Sequence, residues 1–243
     1  MTVKDLPDYT RQMVIKYEGG FVGLEELAIR LGFIGPWDLR GNVILMDDFE
    51  SELTEWATDT EAGGSSVARS STHKYSGDWS VKLSIAALVN GYASIIRRLL
   101  PPGLLRYGLF ARFGWEYNYG LISLYLNYMT GTTRYTVDVD YDALAGTLVV
   151  YPHGGGTHTV ASDLWVSFSG FKWIPMLVTF DMATKCYDKI YFADVEYDVS
   201  GVEIAHSGTT AKPCIEVNPM AFNEAANAWT CYIDDVLLAK NVS

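Results

Sequence analysis

Three aspartates alternate with apolar residues near the middle of the sequence, at positions 138, 140 and 142. Residues two apart in a strand share a face, so this spacing predicts an acidic face opposite an apolar one. Glycoside hydrolysis needs two carboxylates beside a cleft, and Asp138 with Asp140 is the best candidate pair in the chain. A solvated outer sheet face explains the same alternation without catalysis, and we favour it because no Glu-x-Asp-x-Glu pattern accompanies the aspartates.

Other catalytic signatures are missing from the sequence. It contains no nucleophile elbow, phosphate-binding loop, dinucleotide fingerprint or zinc-protease helix motif. Its three cysteines lack CxxC spacing, which indicates neither a zinc site nor a disulfide framework. Cys231, within the apolar run WTCYIDDVLL, is expected to be a buried core thiol. We therefore predict that the chain is not an enzyme.

Aromatic residues are the second group that could bind a ligand. Trp115, Tyr117 and Tyr119 share one strand parity, so one sheet face is rich in rings there. If that face points outward, it forms either a glycan-stacking platform or a subunit interface. If it points inward, the three rings fill the core.

From Val43 onward the hydrophobic pattern has a period of two, which predicts many short strands. Turn residues such as Asn90-Gly91 and Gly154-Gly155-Gly156 separate them. The pattern predicts an all-β fold, an antiparallel jelly-roll β-sandwich over residues 42–243. The last strand is too apolar for a tail, so we expect it to pair beside the first. The predicted strands are 43–50, 65–70, 79–87, 91–99, 106–116, 119–129, 132–140, 146–151, 157–161, 171–181, 187–197, 213–218 and 229–239.

Residues 1–41 differ from this pattern and predict a short extended N-terminal arm. A short strand over residues 12–17 precedes a two-turn helix over residues 24–31. A helix this short is marginal in isolation, so its apolar stripe needs a partner surface. That surface is either the body of the same chain or a neighbouring subunit. The residues expected to make assembly contacts are Tyr9, Val14, Ile15, Tyr17, Leu24, Leu27 and Leu31.

Three motifs in the body carry a resemblance to a known family. They are MDDFES at 46–51, HKYSGDWSVKLSI at 73–85 and YIDDVLLAK at 232–240, and together they resemble jelly-roll modules of the carbohydrate-binding and galactose-binding-like kind. The resemblance implies a structural calcium that ties the first strand, the Ser-Gly turn and the last strand together, because calcium takes several carboxylate and carbonyl oxygens. The implied ligands are Asp48, Glu50 and Asp235, with the backbone near Lys74 and Gly77. Turn and strand-edge hydrogen bonds without a metal are the alternative role for these acids.

Two further segments extend the resemblance. The hairpin FKWIPMLVTFDMATKCYDKIYFADVEYDVSG at 171–201 resembles the central hairpin of concanavalin- and laminin-G-like sandwiches. The segment LPDYTRQMVIKYEGGFVGLEELAIRLG at 6–32 resembles the arm of structural proteins from tailed-phage particles. This second resemblance implies a virion structural protein, such as a capsid decoration, cement or minor particle protein. It would form a homo-oligomer, with a trimer favoured, and contact other particle proteins.

The net charge, the apolar runs and the first twelve residues indicate which partners and which location the chain is expected to have. The formal net charge of -11 disfavours binding to nucleic acid phosphates. No apolar run is long enough for a membrane span, and residues 1–12 lack a signal-peptide core. We therefore expect synthesis in the host cytoplasm and incorporation into the virion. The predicted function is noncovalent assembly through the arm, and the alternative is a carbohydrate-binding module that recognises glycans through exposed aromatic residues.

Overall fold

The described part of the chain consists almost entirely of β-strands. The computed structural model describes residues 41–61, 63–101, 103–115, 120–164, 170–223 and 227–242. Within these ranges the one helical segment is a 3-10 turn, Leu53–Glu55, and no helix has the length and hydrophobicity to cross a bilayer. Residues 1–40 of the predicted arm lie outside the described residues, so the predicted arm contacts stay a prediction.

The strands follow one another along the chain with short connections. In order they are β1 (Asn42–Asp47), β2 (Ala57–Thr60), β3 (Ser66–Ser70), β4 (Ser80–Ile85), β5 (Tyr92–Leu99), β6 (Arg106–Trp115), β7 (Leu121–Met129), β8 (Thr133–Asp142), β9 (Thr147–Val150), β10 (His158–Ala161), β11 (Lys172–Asp181), β12 (Cys186–Phe192), β13 (Val195–Asp198), β14 (Ala205–Gly208), β15 (Cys214–Phe222) and β16 (Trp229–Lys240).

Two antiparallel sheets divide these strands between them. The first sheet has the order β13-β12-β11-β6-β16-β4-β3, with β1 paired to β16. The second has the order β10-β9-β8-β7-β15-β5-β2, with β14 paired to β8. The predicted antiparallel jelly-roll sandwich is confirmed. The predicted place of the last strand is confirmed as well, because β1 pairs with β16 from Asn42 opposite Lys240 to Asp47 opposite Val236.

Several strands differ from their predicted bounds. Strands β2 and β14 were not predicted, because ATDT and AHSG are polar and lack an apolar alternation. The predicted strand 187–197 is a hairpin of β12 and β13, in which Ala193 adopts a positive φ of 56° without a glycine to mark the turn. The predicted strand 213–218 continues as β15 through Pro219 to Phe222. The strand tolerates this proline, which has no N–H to donate, because the pairing of β15 with β5 skips Asn218 and Pro219.

The core lies between the sheets and is built by alternate residues of each strand. On β6 the odd-numbered residues Tyr107, Leu109, Phe113 and Trp115 are all buried against the second sheet. Trp115 is 1% exposed, so of its two alternatives, an outward platform or the core, it takes the core, because alternation along β6 turns it inward. Tyr117 and Tyr119 lie outside the described residues. The prediction of a buried thiol at Cys231 is confirmed.

Candidate functional site

Buried polar side chains cover the outer face of the second sheet, where a sandwich usually presents exposed residues. Strands β5, β7, β8 and β15 supply them, and their neighbours in sequence point into the core. None is more than 8% exposed, so this face holds polar groups that are shielded from solvent. Burying such groups is costly unless partners satisfy them. They are Ser94, Ser123, Asn127, Asp140, Glu216 and Asn218.

One row of this face is a continuous hydrogen-bonded network across four strands. Thr136 donates to Asn127 Oδ1 at 3.0 Å, and Asn127 Nδ2 donates to Glu216 Oε1 at 3.0 Å. Arg98 completes the row, because its Nε donates to Glu216 Oε2 at 2.8 Å. The strand register places these four residues opposite one another. The negative charge of Glu216 is therefore matched within its own row.

Asp138 and Asp140 lie on the next two rows of the same face. The register sets Asp138 opposite Tyr125 and Asp140 opposite Ser123. The Ser123 hydroxyl donates to Asp138 Oδ1 at 2.9 Å, and the Tyr151 hydroxyl donates to Asp140 Oδ2 at 2.9 Å. We call Asp138 and Asp140 the aspartate pair. Only neutral hydroxyl groups donate these bonds, so they place the two carboxyl groups without neutralising their charge.

The electrostatics of the aspartate pair follow from its burial. Burial and the charge of Asp140 together raise the pKa of Asp138 to about 8. Burial also raises the pKa of Asp140. Two close carboxyl groups in a poorly solvated place cannot both ionise cheaply, so the pair keeps a proton at neutral pH.

The interpretation of residues 138–142 as a solvated face is wrong for Asp140, which is 3% exposed. Alternation assigns a residue to a sheet face, but it does not report whether solvent reaches that face. Asp142 has a different role, because its Oδ1 accepts the N–H groups of Leu144 and Ala145 at 2.8 and 2.9 Å. It therefore stabilises the turn after β8.

A pocket of about 260 Å³ opens beside the aspartate pair, and we call it the face pocket. Three aromatic rings and a thioether give it apolar walls, while carboxyl, hydroxyl and amide groups make its polar part. Apolar walls with a few placed polar groups are typical of sites for small molecules. The residues that line it are Asn90, Tyr92, Ser123, Tyr125, Asp138, Asp140, Met220 and Phe222.

The three motifs that resemble carbohydrate-binding modules converge at a second place, on the first sheet. Glu50 Oε1 accepts the N–H groups of Asp78 and Trp79 at 2.6 and 2.8 Å. Asp234 Oδ2 accepts those of Tyr75 and Ser76 at 2.8 and 3.2 Å. Segments distant in sequence are thus joined at the turn of residues 73–79, which we call the Ser76 turn. Gly77 has a positive φ of 56°, and a Cβ there would lie 2.2 Å from Glu50 Oε1, so a larger residue would displace this carboxylate from the two amides.

Two arginines supply positive charge to this junction. Arg112, 3% exposed, forms an ion pair with Asp235, and its guanidinium carbon lies 3.9 Å from the ring centre of Tyr75. Arg69 donates to the carbonyl oxygens of residues 49 and 50 at 2.9 and 2.6 Å. Its guanidinium carbon lies 4.2 Å from the ring centre of Trp79. Each arginine therefore contacts an aromatic ring of the Ser76 turn and also pairs with oxygen atoms, those of the Asp235 carboxylate for Arg112 and of two backbone carbonyl groups for Arg69.

The implied calcium would need oxygen atoms free to coordinate it. Glu50 Oε1 already accepts two amides, and Asp48 Oδ1 accepts the N–H of Glu50 at 3.2 Å. Asp235 receives Arg112 and the Ser76 hydroxyl, the latter at 2.6 Å. Among the described residues, no three acidic, His or Cys side chains come together as a metal-binding group. The arrangement fits the hydrogen-bonded alternative better than a calcium site, and the calcium prediction stays a prediction.

The sequence offered signals for some residues that were not predicted at these two places. Arg112 is the one charge in the interior of the apolar strand RYGLFARFGW, whose other arginine, Arg106, is its first residue, and a charge inside such a strand suggests a buried ion pair. Asn127, Glu216 and Asn218 are polar residues on strands whose other residues are mostly apolar. Their burial has no signal in the sequence, because it depends on which strands become neighbours.

Comparison with known proteins gives the fold and no family. No protein-family model and no curated protein matches the sequence. Among solved structures, the cellulose-induced protein Cip1 is similar with a TM-score of 0.51 and 13% identity, over 80% of this chain and 96% of that one. The endo-β-1,4-glucuronan lyase of the fungus Trichoderma reesei has a TM-score of 0.53 and 9% identity, over 82% and 96%.

A viral protein has a similar structure as well. The carbohydrate esterase of the Shiga toxin-encoding bacteriophage phi24B has a TM-score of 0.50 and 14% identity, over 83% of this chain and 99% of that one. At such identities the likeness concerns the fold. The chain has the β-sandwich fold that these three proteins share.

Proposed function

We propose that this chain binds a glycan in the face pocket. The observation that carries the proposal is the combination of Tyr92, Tyr125 and Phe222 with the aspartate pair around one opening. A sugar ring has an apolar C–H face and an edge of hydroxyl groups. The rings of the pocket offer a surface for the apolar face, and the aspartate pair offers hydrogen-bond partners for the edge.

The electrostatic state of the aspartate pair suits this role. A carboxyl group that shares a proton can both donate and accept hydrogen bonds, as a sugar hydroxyl does. Hydrogen bonds to an ionised carboxylate are also stronger than those between neutral groups. Two of the solved structures with a similar fold are named as a glucuronan lyase and a carbohydrate esterase, and these names support the proposal of a carbohydrate ligand.

The same pair favours binding without hydrolysis. Glycosidases separate their two carboxyl groups by roughly 5–9.5 Å, so that one acts as acid and the other as base or nucleophile. Asp138 and Asp140 instead lie two residues apart on one strand face, close enough for the charge of Asp140 to raise the pKa of Asp138. We therefore propose that the chain binds a glycan and does not cleave it. Release of reducing ends from an oligosaccharide by the purified protein would contradict this.

Titration of soluble oligosaccharides into the wild-type chain and Tyr125→Ala tests the glycan proposal. We expect the substitution to weaken binding by roughly tenfold or more, because a stacked ring is lost. Tyr75→Ala is the matched control, since Tyr75 is 45% exposed and lies at the Ser76 turn on the other sheet. Equal binding by wild type and Tyr125→Ala would contradict the proposal, and so would wild-type protein that binds none of the sugars.

A role in a virus particle is the second candidate function. The observation that favours it is the similar structure of the bacteriophage carbohydrate esterase. In this proposal the sandwich assembles with copies of itself and with other particle proteins through residues 1–41, and the face pocket binds glycans at the particle surface. Its test is the oligomeric state with and without those residues.

A further inference from the structure

Among the residues that the structure describes, no positively charged side chain lines the face pocket beside its two aspartates. Its described lining includes two aspartates, and none of the lining residues is Lys, Arg or His. Arg98 lies on the row next to that of Asp138, and it forms an ion pair with Glu216. The hydrogen bonds that reach the aspartate pair from Ser123 and Tyr151 are neutral. The pair therefore lacks a cationic partner within the pocket.

Buried acceptor atoms without partners lie on the same face. Asp140 Oδ1 receives no donor from the described chain. Asn218 Oδ1 also lacks a partner, although Asn218 is only 8% exposed. Asn218 is opposite Tyr125 and two residues before Met220, both of which line the pocket. Ser94 Oγ, opposite Met220, is a third polar atom without a partner.

We propose that the face pocket takes an amino sugar whose amino group is protonated, with the ammonium group placed at Asp138 and Asp140. This inference rests on the proposed glycan-binding function. An ammonium group brings three N–H donors to a place that is rich in acceptors. It also supplies the opposite charge that the aspartate pair lacks. The rings of Tyr92, Tyr125 and Phe222 add a favourable electrostatic environment for a cation.

Other sugar classes fit this charge distribution less well. A uronic acid would place a third carboxylate against the aspartate pair, and like charges in a poorly solvated pocket repel each other. A neutral hexose would bind through its hydroxyl groups alone and leave the negative charge unmatched. An N-acetylated amino sugar has lost the charged group and gains a bulky amide.

Proton release distinguishes ammonium binding from neutral binding. Before binding, the pair holds a proton at neutral pH, because burial and the charge of Asp140 raise the pKa of Asp138 to about 8. A cation beside the pair favours the ionised form, so the proton leaves to the buffer while the ammonium keeps its own three protons. Binding of an amino sugar that is already protonated should therefore release up to about one proton for each ligand, and any free amine must take up a proton to bind, which reduces the net release. A neutral sugar should release almost none.

Calorimetric titration at pH 7 with three oligosaccharides of equal length tests the proposal. The ligands are oligomers of glucosamine, of N-acetylglucosamine and of glucose. We expect the glucosamine oligomer to bind at least roughly tenfold tighter than the other two. Its observed enthalpy should change with the ionisation enthalpy of the buffer, which reports the released proton. A simple alkylammonium salt is the fourth ligand, and we expect it to bind more weakly because it lacks the sugar ring.

Substitutions locate the effect within the pocket. Asp140→Asn and, separately, Asp138→Asn should remove most of the preference for glucosamine and the proton release. Both remove a buried charge, so both should fold, and melting curves check this. Asp142→Asn is the matched control, because Asp142 follows on the same strand but caps a turn. We expect it to bind glucosamine as wild type does.

Each outcome separates this inference from the proposed function. Glucose or N-acetylglucosamine oligomers that bind as tightly as glucosamine would overturn the ammonium inference and leave glycan binding in place. Alkylammonium binding as tight as that of the oligosaccharide would overturn the sugar part. Failure of all three oligosaccharides to bind would overturn the proposed function itself.

Discussion

The hydroxyl group of Tyr187 accepts a hydrogen bond from the backbone N–H of Asp138 at 2.9 Å, from one sheet to the other through the core. It lies 3.3 Å from the carbonyl oxygen of Asp138, to which it donates. Strand β14 pairs with β8 only up to Thr136, and β9 pairs with it only from Val139. The Tyr187 hydroxyl thus pairs with the backbone N–H and carbonyl groups of Asp138, which lies between the part of β8 that pairs with β14 and the part that pairs with β9.

Tyr187→Phe should therefore destabilise the sandwich. Two buried backbone groups of Asp138 lose their partner, and we expect the free energy of unfolding to fall by about 1–3 kcal/mol. Urea denaturation measures the change. Tyr92→Phe is the control, because its hydroxyl makes an exposed bond to Asp59 and should cost less than about 0.5 kcal/mol. Equal stability of Tyr187→Phe and wild type would show that the bond across the core contributes little.

Stability should decrease as the pH rises from about 4 to about 8. The pKa values of Asp138 and Asp234 are each raised to about 8, mainly by burial, whereas an unfolded aspartate has a pKa of about 3.9. Each carboxyl group therefore binds a proton on folding within this window. That contribution is fully present below pH 4 and is lost as the pH passes the folded pKa.

Urea denaturation at pH 5 and pH 8 measures this dependence. We expect a lower free energy of unfolding at pH 8, and a smaller difference between the two values in Asp138→Asn. Asp142→Asn again serves as a control, since it should keep the wild-type difference. A free energy that stays constant or rises between pH 5 and pH 8 would be inconsistent with raised pKa values at these buried groups.

The ion pair of Arg112 and Asp235 should matter more to stability than an exposed pair. Arg112→Ala leaves Asp235 without its buried counter-charge, beside Asp234, and we expect a loss of about 3–5 kcal/mol in the free energy of unfolding. Lys189→Ala, whose ion pair with Glu196 joins side chains that are 41% and 46% exposed, should cost less than about 1 kcal/mol. Similar losses in the two variants would argue against a special role for the first pair.

Calcium should have little effect on the melting temperature, because protein donors already occupy oxygen atoms of Glu50 and Asp235. Thermal melting in excess calcium and in excess chelator measures this. A ligand that binds only the folded state at 100 times its Kd would add about 2.7 kcal/mol. A rise of several degrees in the melting temperature with calcium would therefore support the calcium site that the sequence motifs imply. It would contradict the interpretation that Arg69 and Arg112 supply the positive charge at the Ser76 turn in place of a metal.

Deletion of residues 1–41 tests the particle hypothesis. We expect the body to keep its melting transition, because the two sheets and their core lie within residues 42–242. We expect the full chain to form an oligomer that the shortened chain does not form. Light scattering after gel filtration measures both masses. A monomeric full-length chain would contradict assembly through the arm.

Much of the fold was predictable because it depends on local alternation. The apolar run of β16 had to be buried, and its pairing beside β1 followed from that requirement. The burial of Asp140 was not predictable in the same way. Its position on an outer face follows from its parity, but its shielding depends on which strands become neighbours in the sheet, among them β15, which is distant in sequence.

At the Ser76 turn, the sequence motifs predicted some of the contacting residues but not others. Glu50 and Asp235 were expected to meet at this turn because their motifs resemble a known kind of module, and the two residues do contact it. Arg69 and Arg112 were not predicted, since the motifs do not include them. The positive group that pairs with the acidic residues at this turn comes from strands outside the motifs, as Arg112 comes from β6.

Mapping amide chemical shifts during titration with a glucosamine oligosaccharide is the most direct test of glycan binding in the face pocket. The account predicts that the largest changes occur at residues on the outer face of the second sheet, among them Ser94, Tyr125, Asp140 and Met220, and that the Ser76 turn stays unchanged. Saturation without shifts on that face, or shifts centred on the Ser76 turn, would contradict it.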